Sequence, residues 1–200
     1  MASAALKRRY SPEEYLAIER LADFRSEYLD GTIVAMAGAS REHNLITGNL
    51  AAEIRTQLKN RPCETYQSDM RVLISQTGLY TYPDVSVVCS EPIFRDEKQD
   101  TLLNPTVIIE VLSPTTESYD RGKKFEHYRR LASLREYVIV AQDEVFVEHY
   151  VRRGDEWIQT EFRSIDHTLS LESIDCHVPL REVYARIVFP EIPPSRTKAL

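Results

Sequence analysis

The sequence predicts an α/β fold of the α+β kind: a mixed sheet flanked by helices, entered through an N-terminal helix and a hairpin. Three observations predict it. Helix-period segments and strand-like runs follow one another in the order helix, hairpin, helix, three strands, helix, strands. Asp30-Gly31 stands between two strand-like runs, the strongest short-range hairpin signal. Val107, Ile108, Ile109, Val111 and Leu112 have the character of a strand buried on both faces. The 200 residues are 42% hydrophobic, which fits one domain with a real core, over residues 1–189, before a proline-rich, polar tail over 190–200.

Each element has a local reason. In SPEEYLAIERL, Ser11 is suited to cap a helix, Pro12 to open it and Glu13 and Glu14 to fill its first turn. Tyr15, Ile18 and Leu21 then recur at helical spacing. The Asp30-Gly31 hairpin follows. In REHNLITGNLAAEIRTQLKN, Leu45, Ile46, Leu50, Ile54 and Leu58 keep a 3.6-residue period, and Arg61-Pro62 ends the second helix. The runs ETYQSDMRVLI and LYTYPDVSVVC, split by Gln76, Thr77 and Gly78, read as a second hairpin. TVIIEVLS is the next strand, Asp120 to Leu134 a helix, and EYVIVAQ with EVFVEHYVRRGDEWIQTEFR two or three further strands. No internal repeat is present.

The totals exclude several classes. No apolar run approaches the length of a bilayer span, and the first fifteen residues lack an export signal, so the chain reads as cytoplasmic. Cys63, Cys89 and Cys176 are odd in number, widely spaced and free of any CxxC pair. That argues for reduced thiols over a disulfide framework or a zinc ribbon. A formal charge of −6 gives no bulk attraction for nucleic acid. Arg121, Lys123, Arg129, Arg130 and Arg135 form a local basic cluster that either meets phosphates or is a solvated helix face.

The chemistry centres on Glu110. An acid inside TVIIEVLSP with no neighbouring base in sequence must be compensated, because an isolated buried charge costs several kcal/mol or more. Asp84, in Tyr82-Pro83-Asp84-Val85, is a second acid set against continuous apolar sequence. If their strands are neighbours, two carboxylates converge, and a hard divalent cation such as Mg²⁺ resolves the repulsion. In DRGKKFEHYRRL, Lys124 shares the stripe of Phe125, Tyr128 and Leu131, whereas Lys123 lies with Glu126, His127 and Arg130. Lys124 therefore either snorkels past Tyr128 to solvent or is aimed at the carboxylates. Tyr128, one turn beyond, packs beside it and donates a hydrogen bond, or only packs.

The combination of YPDVSVV, IIEVLSP and DRGKKFEHY closely resembles the Uma-type restriction endonuclease family, a branch of the PD-(D/E)XK nuclease superfamily. SEYLDG and EHNLITGNL extend the likeness over roughly residues 10 to 145. The resemblance implies a restriction endonuclease-like fold, DNA as substrate and Mg²⁺ or Mn²⁺ as cofactor. It implies that Asp84 and Glu110 bind the metal, with the Val111 carbonyl completing the shell. The position two after Glu110, where many members carry a catalytic lysine, is Leu112 here, and Lys124 matches the helical lysine that takes that role in the Uma-type branch. Glu27 matches an acid reaching the centre from the opposite side, although SEYLDG alone also allows a surface residue near a turn. His43 matches the family's histidine at the start of the second helix, where a capping or solvent role is the alternative.

Three functions follow as expectations. One is a Mg²⁺-dependent endonuclease in which Asp84 and Glu110 hold metal and Lys124 balances charge developing on the phosphorus. Because so acidic a monomer would grip duplex DNA poorly, a homodimer presenting two sites along one groove goes with this reading. A second is a nuclease-fold module, weakly active or inactive, serving dimerisation or partner binding, and a third is metal-assisted hydrolysis of some other phosphate ester.

Overall fold

The computed structural model describes residues 8–113 and 117–189. The proline-rich tail 190–200 and Pro114 lie outside the described residues. Ser11 caps α1 (Pro12–Glu19): its hydroxyl accepts from the Glu14 N–H at 3.2 Å, and the Glu14 carboxylate accepts from the Ser11 N–H at 2.8 Å. Tyr15, Leu16 and Glu19 are the buried positions of this helix, while Ile18 and Leu21 face solvent. The expected stripe thus fails after Tyr15: Ile18 lies within the helix on its exposed side, and Leu21 falls in the turn beyond the helix end at Glu19.

Asp30 and Gly31 both adopt positive φ, 46° and 80°, and join β1 (Ser26–Leu29) to β2 (Thr32–Ala35) with Leu29 opposite Thr32. Ser40 caps α2 (Arg41–Leu58), whose Ile46, Leu50, Ile54 and Leu58 are buried as their period predicts.

The second hairpin forms, but it is shared between two sheets. The ETYQSDMRVLI run divides into β3 (Glu64–Gln67) and β4 (Arg71–Ile74), and its partner run into β5 (Leu79–Thr81) and β6 (Val85–Val88). The inner halves β4 and β5 pair in one sheet, and the outer halves β3 and β6 pair in the other. Pro83 marks the division, since it has no N–H to give to a ladder. Asp84 follows at once, at the point where the chain passes between sheets.

With β7 (Thr101–Leu102), the first sheet has the order β2-β1-β5-β4-β7. The second adds β8 (Val107–Val111), β9 (Glu136–Val140), β10 (Val147–Arg153) and β11 (Glu156–Phe162) in the order β11-β10-β9-β8-β6-β3, with β8 and β9 its parallel pair. Alternation along β8 sends Val107, Ile109 and Val111 toward α2, and Ile108, Glu110 and Leu112 to the opposite face.

On that opposite face the helix expected over 120–134 is shorter and mixed. α3 (Glu117–Tyr119) leads into a π-helical turn, Asp120–Lys124, and then α4 (Phe125–Tyr128). Bonds from the Arg130 and Leu131 N–H groups to the carbonyls three residues back tighten the end and stop it. No element is predicted for the C-terminal portion, residues 164–189. It holds the hairpin β12 (Thr168–Leu171) with β13 (Cys176–Pro179) and a short α5 (Leu180–Val183), closing the α2 side of the core.

Cys63 and Cys89 are joined by a disulfide, which overturns the expectation of three free thiols. Judged along the chain they are 26 residues apart, but the β3–β6 register, Glu64 opposite Val88, places them at the next opposed positions. Cys176 is free and buried. No helix among the described residues is long and apolar enough to cross a membrane.

Away from the acids discussed above, Glu136 is fully buried at the start of β9. It accepts from the Ser173 N–H at 2.7 Å and meets His149 Nε2 at 2.5 Å. Burial works to raise its carboxyl, but the bonds and charge of His149 and Ser173 prevail and hold it below the ordinary value. A depressed carboxyl stabilises the fold above its unfolded value, and that contribution disappears as pH falls through the folded one. Glu136→Gln is expected to cost about 1–3 kcal/mol at pH 7. Urea denaturation at pH 7 and near pH 3 checks it: the gap between variant and parent should narrow in acid.

Candidate active site

The antiparallel register of β6 on β8, Val85 opposite Ile109, sets Asp84 across from Glu110 at the next position. Asp84 Oδ2 accepts from the Val111 N–H at 2.8 Å, so its carboxylate lies against the C-terminal end of β8. Glu110 is 4% exposed, on the helix-covered face of the same strand. Lys124 answers the question of its compensation. Its Nζ is 2.9 Å from Glu110 Oε1, 3.3 Å from Glu27 Oε1 and 3.4 Å from Asp120 Oδ1. Lys124 is buried and Lys123 exposed, the sides that helical spacing predicts.

Tyr128, one turn beyond Lys124, is fully buried and donates from its hydroxyl to Glu110 Oε1 at 2.7 Å. Glu27 enters from the other sheet on β1, and the Thr81 hydroxyl donates to its Oε1. His43 comes from the first turn of α2, its own N–H capped by Ser40 at 3.0 Å, and brings Nε2 to 3.2 Å from Asp84 Oδ2. Asp84, Glu110, Val111, Lys124, Glu27, Tyr128 and His43 therefore meet at one place, from the residue before β6, from β8, the π-turn, β1, α4 and α2.

Sequence reasoning missed Asp120 and Thr81. Asp120 is 3% exposed and lies four residues before Lys124 on the same helix face. That i,i+4 acid–lysine spacing was the available signal. Thr81, a neutral residue at the end of a short strand, gave none.

Charge is unbalanced here. Four carboxylates, Glu27, Asp84, Glu110 and Asp120, surround one lysine and one histidine. The Glu110 carboxyl is pushed up to about 8 overall: burial raises it most, Lys124 draws it down, Asp120 and Asp84 push it up, and the Tyr128 bond lowers it. Burial alone would lower the Lys124 ammonium, yet Glu110, Tyr128, Glu27 and Asp120 carry it well above its ordinary value, so it is a cation throughout the neutral range. Burial likewise opposes charge on His43, but the bond and charge of Asp84, the Val111 carbonyl and Asp120 raise it overall.

A hard divalent cation suits this donor set. Asp84 Oδ2 lies 2.8 Å from the Val111 backbone nitrogen, and Glu110 stands across from Asp84. The donors are all oxygen, the chemistry of Mg²⁺ or Mn²⁺. Among the described residues no three His, Cys, Asp or Glu side chains already form a ligand group. Mg²⁺ commonly takes only one or two carboxylates and fills its other positions with water and phosphate oxygens.

Residues 12–178 match the model of the family described as "Uma2: Putative restriction endonuclease". The chain belongs to the Uma2 family. Two cyanobacterial relatives agree in extent, both from Synechocystis sp. (strain ATCC 27184 / PCC 6803 / Kazusa). The uncharacterized protein sll1609 is 41% identical over 149 residues, covering 74% of this chain and 84% of its own. The uncharacterized protein slr1290 is 36% identical over 181 residues, covering 90% and 93%. A crystal structure described as "a putative nuclease belonging to DUF820" from Anabaena variabilis ATCC 29413 superposes with a TM-score of 0.73 at 21% identity, over 88% of this chain and 98% of that one. At that identity the likeness establishes the fold, and the Uma2 chain shares it. The restriction endonuclease-like mixed sheet predicted from sequence is the architecture found.

Proposed function

We propose that this Uma2 chain is a metal-dependent phosphodiesterase that hydrolyses DNA. The observation carrying the reading is the convergence of Asp84 and Glu110 at the end of β8 with Lys124 Nζ 2.9 Å from Glu110. Asp84, Glu110 and the Val111 carbonyl would hold the cation. When bound, it would supply Lewis-acid polarisation of the phosphate and a water acidic enough to attack near neutral pH.

The chain's own residues do the rest. Lys124 is the fixed positive charge that offsets negative charge gathering on the phosphoryl oxygens, and its contacts with Glu27, Glu110 and Asp120 fix its position before substrate arrives. Tyr128 uses its hydroxyl to orient Glu110. Glu27, steadied by Thr81, holds the lysine from the side of the other sheet. His43, with Nε2 3.2 Å from Asp84 Oδ2, orients that carboxylate. Two copies of the chain, each contributing one such pocket, would span a duplex.

The test is cleavage of plasmid and single-stranded oligonucleotide by the purified protein with Mg²⁺, Mn²⁺ or EDTA, paired with Mn²⁺ titration calorimetry. Cutting that requires metal, with Mn²⁺ uptake in the same preparation, is the expected result. Absence of both Mn²⁺ uptake and cutting would instead assign the chain to the module that keeps the fold for association.

A further inference from the structure

The basic cluster expected along the helix divides into two parts. Arg121 is engaged by Glu117 at 3.0 Å and by Glu148. At the far end of α4 the arginines behave differently. Among the described residues no carboxylate pairs with Arg129, Arg130, Arg135 or Arg152, whereas Arg20, Arg71, Arg121 and Arg153 each hold at least one. Three of the unpaired arginines are drawn together by the backbone. The Arg152 guanidinium donates to the Arg129 carbonyl at 2.6 Å, and the Arg152 N–H donates to the Arg135 carbonyl at 2.8 Å.

Like charges gathered this way repel, and the fold leaves donors unused in the same corner. Arg152 Nε is buried and makes no hydrogen bond among the described residues, and Ser133 Oγ, in the loop between Arg129 and Arg135, shares that condition. Burial lowers the Arg152 guanidinium, and the charges of Arg135 and Arg129 lower it further, against a small opposing effect of Asp155. Its guanidinium also lies 4.8 Å over the Trp157 ring, which fixes its plane. Arginines gathered in this way, with no carboxylate paired to them among the described residues, suit recognition of a phosphate.

We propose that Arg129, Arg135 and Arg152 form an anion site for a backbone phosphate of nucleic acid, distinct from the acid pocket and on the same face of the sheet. Tyr150, the neighbour of Arg152 on that face of β10, packs on Phe125 of α4 at 4.5 Å, and α4 is the helix that covers Glu110. The Arg135 N–H bonds to the Thr106 carbonyl at 2.8 Å, four positions before Glu110. The two sites are therefore about 13 Å apart along the strand direction. That is about four phosphates along one strand of a duplex. The ligand class rests on the nuclease reading; the need of the cluster for an anion does not.

The experiment measures binding separately from cutting. In EDTA and with Asp84→Asn as background, fluorescence anisotropy reports binding of labelled duplex and single-stranded oligonucleotides over a salt series. Arg129→Gln/Arg135→Gln, both at exposed positions, is compared with Arg163→Gln/Arg181→Gln, which removes equal charge elsewhere. The first pair is expected to weaken binding at least tenfold and to flatten the duplex log–log salt slope by about 1.8, from a slope of ~0.9 per lost contact. Equal losses from the two pairs overturn the proposal, as does failure of the background protein to bind any oligonucleotide. Arginine-dependent binding by a protein that never cuts would uphold this site and reject the nuclease reading.

Discussion

Asp84→Asn is expected to reduce cleavage about 10³-fold, roughly 4 kcal/mol of transition-state stabilisation, and to abolish Mn²⁺ uptake. The size follows from what the substitution removes. The amide keeps the shape of the acid and an oxygen that can still accept from the Val111 N–H, now 2.8 Å from Oδ2. Lost are the negative charge facing Glu110 and the ionic partner of His43 at 3.2 Å. Folding stability should stay within about 1 kcal/mol of the parent, because the hydrogen bond survives. Gel-based cleavage rates, calorimetry with Mn²⁺ and urea denaturation check the three parts. Cutting by Asp84→Asn at the parental rate would remove this acid from the chemistry.

Lys124→Met should be the most damaging change to the fold among the site residues. Methionine matches the length of the aliphatic stem but leaves Glu27, Glu110 and Asp120 without the ammonium now within 3.4 Å of each. Removing one partner of a buried charge cluster costs about 3–5 kcal/mol, since the remaining charge has already lost its water. The diagnostic is the double variant. Lys124→Met/Glu110→Gln neutralises the carboxylate closest to the missing lysine and should recover most of the loss, a coupling of about 2 kcal/mol in a double-mutant cycle. Neither variant should cut. Urea midpoints for the parent, both single variants and the double give the cycle, and additive effects would contradict the contacts described.

How much of this was legible depended on the range over which each signal acts. The cap at Ser11, the Asp30-Gly31 turn and the period of α2 are local, and the sequence predicts them residue by residue. Lys124 was legible because Phe125, Tyr128 and Leu131 fix which side of the helix is apolar. Asp84 and Glu110 stood out as acids in apolar surroundings, and a single antiparallel register brings them together. What escaped was set by pairing across distance. The hairpin of these two runs was expected, but its division between two sheets at Pro83 was not, and the Cys63–Cys89 bond follows from the register of its outer β3–β6 half rather than from the spacing of the cysteines. Thr81 acquires its part only because β5 carries it beside Glu27, and the hairpin of β12 and β13 is too short for its period to stand out.

The π-helical turn from Asp120 to Lys124 has one more implication. A helix rotates about 100° for each residue, so deleting a single residue in this turn would swing the lysine a quarter-turn or more away from the strand, with every side chain still of the right kind. Chain length between the glutamate and the lysine is thus as exacting a requirement as their chemistry. A descendant of this chain could drift widely in composition here and keep the pocket, but an indel of one would blind it.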